Sequence, residues 1–136
     1  MEILQASMET VMADKRNKNY RKYKKQTQLV RGGLIRSQHG ETSEAIFMNS
    51  GYVFNSAEEA KARFAGELDG YLYTRYGNPT VKMFEERMAL NEGSEACFAT
   101  ASGMSAVFAS MLSYLKTGDH VVSSRALFGS CYHIID

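Results

Sequence analysis

Apolar residues recur with helical spacing after Asn78 and predict a well-defined helix. Asparagine is a favoured N-cap residue, and Pro79 at the first helical position sacrifices no bonded N–H. Glycine suits the position just past a helix end, so Gly93 predicts where this helix stops. Three apolar side chains lie at i, i+3 and i+7, and the pattern predicts that they form the buried face: Val81, Phe84 and Met88.

A second helix is predicted over residues 56–65. Ser56 is a suitable N-cap, Glu59 occupies the capping-box position three residues later, and Gly66 favours the end of the helix. Residues 27–56 instead combine glycines with short apolar runs. Because this segment lacks helical periodicity, we expect loops and short extended stretches there.

The last part of the chain has the pattern of a strand, a helix and a second strand. Residues 96–100 form a short apolar run, residues 103–116 are small and apolar, and residues 120–123 form another apolar run. A helix of this length between two strands implies a right-handed parallel crossover. The sequence therefore predicts an α/β fold.

Composition indicates an ordinary globular protein. The chain has 136 residues, 44% of them hydrophobic and 23% charged, which is enough for a sizeable core. It has no apolar run of bilayer-spanning length and no basic-then-apolar signal at its N-terminus, so we expect a cytoplasmic protein without a membrane partner. Cys97 and Cys131 form no disulfide framework, and free thiols are expected.

Positive charge is concentrated at the N-terminus, where residues 1–25 carry seven lysines and arginines against three acidic residues. Tyr20 and Tyr23 interrupt the basic run, a pattern found in some nucleic-acid-binding arms. No folded nucleic-acid-binding motif accompanies it. We therefore interpret residues 1–26 as a solvated basic extension and expect no nucleic-acid partner.

A first candidate anion site is the segment of Ser102, Gly103 and Met104, where the predicted helix begins. The first amides of a helix carry unpaired N–H groups at the positive end of its dipole. Gly103 lets the backbone come close to a phosphate oxygen. Close packing also favours small residues at a strand–helix junction, so this segment alone does not separate packing from phosphate binding.

Tyr73 and Arg75 add a second pair of phosphate-binding groups. In an extended segment residues i and i+2 point to the same side, so the phenol and the guanidinium are expected to converge on one anion. Arginine presents a permanently charged, two-pronged donor to phosphate. Because this pair stands directly before Gly-Asn-Pro-Thr, and segment 102–104 follows, the combination favours phosphate binding over a surface turn.

Other site chemistry has little support in the sequence. The three histidines and two cysteines show neither C-x-x-C nor H-E-x-x-H spacing, so no metal site is expected. Cys131 and His133 offer a thiolate–imidazole pair as an alternative. A buried thiol beside an ordinary helix histidine fits the same two residues.

The order of several segments resembles the Cys/Met-metabolism, or trans-sulfuration, family of enzymes that use pyridoxal 5'-phosphate (PLP). The similar segments are 27–33, 51–54, 62–67, 73–80, 84–87, 99–106, 118–121 and 127–130. The resemblance implies an N-terminal arm and the first part of the PLP-binding large domain of a fold-type I, aspartate-aminotransferase-like α/β enzyme. We expect residues 27–72 to contribute to the dimer active site and residues 73–136 to begin the PLP-binding domain.

The resemblance also implies roles for single residues. Tyr73 and Arg75 match the pair that reaches across a dimer interface to the cofactor phosphate of the neighbouring subunit, and the Tyr73 phenol is a candidate catalytic group. Gly103 and Met104, next to Ser102, match backbone amides that bind the phosphate within one subunit. Family members are dimers paired into homotetramers, and the same homodimer or homotetramer is expected here.

Phe128 matches the aromatic residue that stacks on the pyridine ring of the cofactor. Most relatives have tyrosine there, whereas phenylalanine resembles the O-succinylhomoserine sulfhydrylase branch. The implied reaction replaces succinate on an O-acyl-homoserine with sulfide or a thiol, to give homocysteine in methionine biosynthesis. Cystathionine γ-synthase and the cystathionine or methionine γ-lyases are the alternatives.

The lysine that holds PLP as a Schiff base is not expected within these residues. In the family this lysine, like the aspartate that pairs with the pyridine nitrogen, lies downstream of the position matching Asp136. Among the eight lysines present, Lys82 and Lys116 are interpreted as exposed helix positions. The 136 residues alone are therefore expected to be inactive. They are either part of a complete enzyme or a truncated product that at most associates with intact subunits.

Overall fold

The structure, a computed structural model, describes residues 20–135. Within this range a 3-10 turn at Tyr20–Lys22 precedes five α-helices: α1 (Lys25–Arg31), α2 (Ala57–Phe64), α3 (Pro79–Glu92), α4 (Gly103–Tyr114) and α5 (Gly129–Ile135). The chain divides between Cys97 and Phe98 into two compact units, the first holding α1 to α3 and the second α4 and α5. None of the described helices has the length and apolar character needed to cross a bilayer.

Helix α2 is capped as the sequence predicts. The Ser56 hydroxyl accepts a hydrogen bond from the Glu59 amide at 3.1 Å. The Glu59 carboxylate reaches back to the Asn55 amide at 2.7 Å and pairs with Arg63, one turn along, at 2.6 Å. Gly66 follows the last turn with a φ of 73°. These contacts confirm the predicted helix, since they satisfy amides that have no partner inside it.

Helix α3 begins and ends where the sequence predicts. The Asn78 side chain accepts a hydrogen bond from the Thr80 amide at 2.8 Å, and Pro79 takes the first helical position. Gly93 ends the helix in the left-handed region, at φ 68°, and its amide donates to the Ala89 carbonyl. Both end signals are local, which is why the sequence alone reveals them.

The buried face of α3 is not the predicted one. Met83 and Ala89 are 3% and 4% exposed, whereas Val81 and Phe84 of the predicted face are 41% and 54% exposed. Met88, the third predicted residue, is half-buried. The prediction of the Val81, Phe84 and Met88 face is therefore wrong.

The packing partner of α3 explains this difference. A Cβ atom added to Gly32 would lie 2.4 Å from Leu90 Cδ1, and one added to Gly33 would lie 2.6 Å from Glu86 Cβ. The backbone of the two glycines therefore rests directly against α3, on the side of Met83 and Leu90. Since apolar residues occur on several sides of α3, its spacing alone cannot select the face that packs.

Helix α1 occupies part of a segment predicted to be loop or extended. Five of its seven residues are good helix formers (Lys, Gln, Gln, Leu and Arg), and Lys25 adds a contact to α3. The Lys25 Nζ donates to the Leu90 carbonyl at 3.1 Å and also to the Asn91 carbonyl. A cation here satisfies carbonyls at the end of α3 and complements its dipole. Lys25 thus packs with the first unit, while residues 1–19 of the predicted basic extension lie outside the described residues.

The second unit has the predicted helix α4 but not the two predicted strands. No strand forms at residues 96–100 or 120–123. Phe98 and Val122, which belong to these segments, are 83% and 98% exposed. Parallel strands are stable when both faces of their sheet are covered, and the described residues provide no such cover. The strand predictions are therefore wrong for this part of the chain.

Candidate functional site

Tyr73 and Arg75 lie in a turn ahead of α3, not in the extended segment that their spacing predicts. The amides of Tyr76 and Gly77 donate to the Tyr73 carbonyl at 2.9 and 3.1 Å. The turn nevertheless brings the predicted pair together, since the Arg75 Cζ lies 5.4 Å from the centre of the Tyr73 ring. The same atom lies 5.5 Å from the centre of the Tyr76 ring. The guanidinium is thus held by two aromatic rings.

The Arg75 guanidinium keeps its hydrogen-bond donors available. Arg75 is exposed, and within residues 20–135 no carboxylate or carbonyl accepts a hydrogen bond from it. Tyr73 is 44% exposed. A planar cation that is restrained by rings and lacks a protein acceptor is well suited to bind an anion.

Residues 47–50 run beside this turn. The Thr74 amide donates to the Ser50 carbonyl at 2.8 Å, and the Thr74 hydroxyl donates to the Asn49 carbonyl. Gly51 and Tyr73 form an isolated antiparallel bridge. Residues 47–50 and 73–75 together line an open depression of about 550 Å³.

Asn78 connects the turn at Thr74 to the segment that begins at Phe47, a role that its sequence context does not reveal. Asn78 is 4% exposed. Its Nδ2 donates to the Phe47 carbonyl at 2.9 Å and to the Thr74 hydroxyl at 3.2 Å. Its Oδ1 accepts from the Thr80 amide, as the N-cap pattern predicts. The Thr80 hydroxyl in turn accepts from the Phe47 amide at 2.9 Å. We refer to Phe47, Thr74, Asn78 and Thr80 as the clasp.

The first candidate anion site, Ser102 to Met104, lies at the start of α4, as predicted. The Ser102 hydroxyl accepts from the Ser105 amide at 3.2 Å and so caps the helix. The amides of Gly103 and Met104 have no acceptor among the described residues. A Cβ atom at Gly103 would meet nothing within 4 Å. Two unpaired amides at a helix start are an anion-binding arrangement.

Phe128 directly precedes α5. Its carbonyl accepts from the amides of Cys131 and Tyr132 at 2.8 and 3.2 Å, which closes the first turn of that helix. Its side chain is 71% exposed. The ring is therefore available to stack on a flat ligand.

The predicted site residues fall into two groups, one in each compact unit. Tyr73 and Arg75 belong to the first unit, and the second contains Ser102, Gly103, Met104 and Phe128. Tyr73 and Arg75 lie directly ahead of the predicted helix α3, and residues 102–104 lie at the start of the predicted helix α4. Phe128 precedes α5, a helix that the sequence analysis does not predict. Their contacts with a phosphate or a ring stay predictions.

Hydrogen bonds and burial shift the pKa values of several side chains in the first unit, among them Glu41, Glu44 and Tyr71. The backbone amide and the hydroxyl of Ser37 donate to the Glu41 carboxylate and lower its pKa to about 2. A hydrogen bond from Arg87 lowers the pKa of Glu44. Desolvation by burial raises the pKa of Tyr71, whose ring stacks on Tyr52 with centroids 5.2 Å apart.

The alternative thiol chemistry gains no support from the structure. Cys97 and Cys131 are free thiols, and no hydrogen bond joins Cys131 to His133 in the described part of the chain. The His133 ring instead meets the Tyr132 ring edge-on at 6.0 Å. Within residues 20–135, no three His, Cys, Asp or Glu side chains gather as a metal site would require.

Comparison with known proteins decides the family. A family model described as Cys/Met metabolism PLP-dependent enzyme matches residues 26–136. The chain belongs to this family. O-succinylhomoserine sulfhydrylases from Mycobacterium tuberculosis and Pseudomonas aeruginosa are 59% identical over 103 residues and 53% identical over 110 residues. These matches cover 76% and 81% of this chain, and 25% and 27% of those enzymes.

More distant relatives support the same family. The L-methionine γ-lyase of Porphyromonas gingivalis is 40% identical over 106 residues, which are 78% of this chain and 27% of that enzyme. A Campylobacter jejuni crystal structure, described as an O-acetylhomoserine (thiol)-lyase with N'-pyridoxyl-lysine-5'-monophosphate, matches with a TM-score of 0.76 and 30% identity. The match covers 83% of this chain and 28% of that one.

These matches fix the fold class and the cofactor of the family. The predicted α/β class of a fold-type I PLP enzyme is confirmed, as is PLP as the cofactor on which the family depends. The chain spans about a quarter of the length of the curated relatives that it matches.

Proposed function

We propose that this chain is part of an O-succinylhomoserine sulfhydrylase, which replaces succinate on its substrate with sulfur to give homocysteine in methionine biosynthesis. The supporting observation is the difference in sequence identity between two groups of relatives. The sulfhydrylases are 53–59% identical to this chain, whereas the methionine γ-lyases are 36–40% identical. Phe128, the predicted mark of the sulfhydrylase branch, is consistent with this assignment.

The residues present fit the phosphate and the ring of PLP. Arg75 offers donors without a protein acceptor in the described chain, next to the partly exposed phenol of Tyr73. Gly103 and Met104 offer two amides without an acceptor among the described residues. A phosphate dianion needs such a set of charged and backbone donors, and an aromatic face such as that of Phe128 suits a flat ring.

Each of these residues has a distinct task in the proposed enzyme. When bound, PLP supplies an electron sink for the α-carbon of the amino-acid substrate. Arg75 and Tyr73 hold the phosphate, and the Gly103 and Met104 amides orient it. The Phe128 ring stacks on the cofactor without adding a hydroxyl. The Tyr73 phenol, next to the Arg75 guanidinium, is the proposed catalytic group of this turn.

We also propose that the enzyme assembles as a homodimer or homotetramer in the cytoplasm and that Tyr73 and Arg75 act on the cofactor of the neighbouring subunit. The exposure of both side chains supports this arrangement, as does the lack of an acceptor for Arg75 within the described residues. An anion supplied by a second subunit would complete the hydrogen bonding of this guanidinium.

The reaction is tested with the purified full-length enzyme that carries this sequence. O-succinyl-L-homoserine is supplied with either sulfide or cysteine, and mass spectrometry measures homocysteine and cystathionine. We expect a higher kcat/KM with sulfide. A preference for cysteine would identify a cystathionine γ-synthase, and release of a thiol from methionine without any acceptor would identify a γ-lyase.

The intact mass of the native protein tests the alternative of a short, inactive product. We expect a mass several times the 15.2 kDa of these residues, because the curated relatives are about four times longer than the matched segments. A native mass near 15.2 kDa would support the truncated product and remove catalysis from this chain.

A further inference from the structure

We propose that Asn78 is the positioning residue of the phosphate-binding turn: its buried amide holds Thr74 in place and so sets the positions of Tyr73 and Arg75. This inference rests on the proposed function, which assigns the cofactor phosphate to Tyr73 and Arg75. Asn78 itself is placed behind the turn and is not a catalytic residue.

Asn78 acts on Tyr73 and Arg75 through its hydrogen bond to Thr74. Thr74 lies between the two proposed phosphate ligands and makes three hydrogen bonds. Its amide donates to the Ser50 carbonyl at 2.8 Å, and its hydroxyl donates to the Asn49 carbonyl and accepts from the Asn78 Nδ2 at 3.2 Å. A residue fixed on both its amide and its hydroxyl leaves its neighbours little freedom to move apart.

The amide of Asn78 is fully used, which distinguishes it from an ordinary helix cap. One N–H donates to the Phe47 carbonyl, the other to Thr74, and the oxygen accepts from the Thr80 amide. Serine, threonine or aspartate would serve as the cap. Serine and threonine are too short to span to the Phe47 carbonyl, and an ionised aspartate has no donor for it.

Thr80 completes the clasp on the other side of Phe47. Its hydroxyl accepts from the Phe47 amide at 2.9 Å, so Phe47 is bonded through both its amide and its carbonyl. Phe47 begins the segment 47–50 that lines the depression beside Tyr73 and Arg75. The clasp therefore fixes both walls of the proposed phosphate site.

The experiment compares the affinities of the full-length apoenzyme for PLP and for pyridoxal, which lacks the phosphate. Asn78→Ser keeps a cap for α3 but removes both Nδ2 bonds. Arg75→Ala serves as the benchmark for loss of a phosphate ligand. Gly93→Ala serves as the matched control, because it strains the other end of α3 at φ 68° and its Cβ meets nothing within 4 Å.

We expect Asn78→Ser to weaken PLP binding about tenfold while pyridoxal binding stays unchanged, the order of loss expected for one or two hydrogen bonds. Gly93→Ala should lower the melting temperature without changing the ratio of the pyridoxal dissociation constant to the PLP dissociation constant. An unchanged ratio in Asn78→Ser, alongside a reduced ratio in Arg75→Ala, would overturn the role of Asn78 alone. An unchanged ratio in Arg75→Ala would overturn the phosphate site and this inference with it.

A second variant keeps the test decisive if Asn78→Ser does not fold. Thr80→Val removes the acceptor for the Phe47 amide and leaves the Thr80 backbone amide bonded to Asn78. We expect a smaller loss of PLP affinity in the same direction, again without a loss of pyridoxal affinity. Equal losses for PLP and pyridoxal would contradict a role in positioning the phosphate ligands.

Discussion

Tyr73 and Tyr76 both place a ring against the Arg75 guanidinium, at 5.4 and 5.5 Å from its Cζ. Both rings restrain the cation, but only Tyr73 is proposed to bind the phosphate. The contribution of the hydroxyl can therefore be separated from that of the ring within one turn.

Removing each hydroxyl tests this distinction. Tyr73→Phe keeps the ring contact with Arg75 and loses the donor, so we expect the dissociation constant of PLP to rise about fivefold to tenfold. Tyr76→Phe, the matched control, should leave it unchanged because its ring contact is kept. A fluorescence titration of the apoenzyme measures both constants. Equal effects from the two substitutions would show that the Tyr73 hydroxyl has no special role.

At single residues the sequence predicted which side chains come together but not the backbone conformation between them. Tyr73 and Arg75 were identified by their types and by the motif that follows them, but the backbone between them turns instead of extending. The second role of Asn78 could not be predicted, because it depends on Phe47, 31 residues away in the chain. Local caps leave a local signal, whereas contacts between distant segments do not.

Helix α3 shows the same difference between local features, which the sequence predicts, and contacts with distant segments, which it does not predict. Its ends were predicted because Asn78, Pro79 and Gly93 act within one turn of where they stand. Its buried face was not, because that face is chosen by Gly32 and Gly33 from a distant part of the first unit. Amphipathic spacing identifies a helix, but a second element decides which side it buries.

Two glycine substitutions measure how closely α3 is packed. Gly33 and Gly40 both have positive φ, 71° and 64°, but only Gly33 would bring a Cβ within 2.6 Å of the Glu86 Cβ. We expect Gly40→Ala to cost about 1 kcal/mol of stability from backbone strain alone. Gly33→Ala should cost about 2–4 kcal/mol, because overpacking adds to the strain. Thermal unfolding of both variants checks this, and equal costs would contradict the close packing.

The loop around Glu41 should be sensitive to acid. Hydrogen bonds from Ser37 lower the pKa of Glu41 from 4.5 to about 2, so the folded loop favours the ionised carboxylate. The stabilisation is therefore present above pH 4.5 and is lost as the pH falls toward 2. We expect Glu41→Gln to melt below the wild type at pH 6, with a difference that shrinks as the pH falls below 4.5. A difference that does not depend on pH would contradict this hydrogen bonding.

For the whole chain, the order of motifs was more informative than the order of predicted strands. The α/β class is confirmed by the family, although neither 96–100 nor 120–123 forms a strand in the described residues. A parallel strand depends on neighbours on both sides and on helices over both faces. The motif from Tyr73 to Thr80 consists of consecutive residues, so it is recognisable in the sequence without any strand.

Mixing two inactive variants tests the proposed sharing of sites between subunits. Arg75→Ala removes the ligand proposed to act on the neighbour, and Gly103→Asp places a carboxylate at the amides proposed to act within the same subunit. If the sites are shared, each mixed dimer has one intact site. An equal mixture that is dissociated and reassembled should then regain about one quarter of the wild-type activity, since half of the dimers are mixed. No recovery in a mixture shown to contain mixed dimers would place both groups in one subunit.

The most direct measurement is a crystal structure of the full-length enzyme with its cofactor bound. We expect a guanidinium N–H of Arg75 and the hydroxyl of Tyr73 to lie at hydrogen-bond distance, about 3 Å, from the cofactor phosphate of the neighbouring subunit. The Gly103 and Met104 amides should meet the phosphate in their own subunit. A phosphate bound by other residues, with Arg75 left in solvent, would contradict the assignment of this turn.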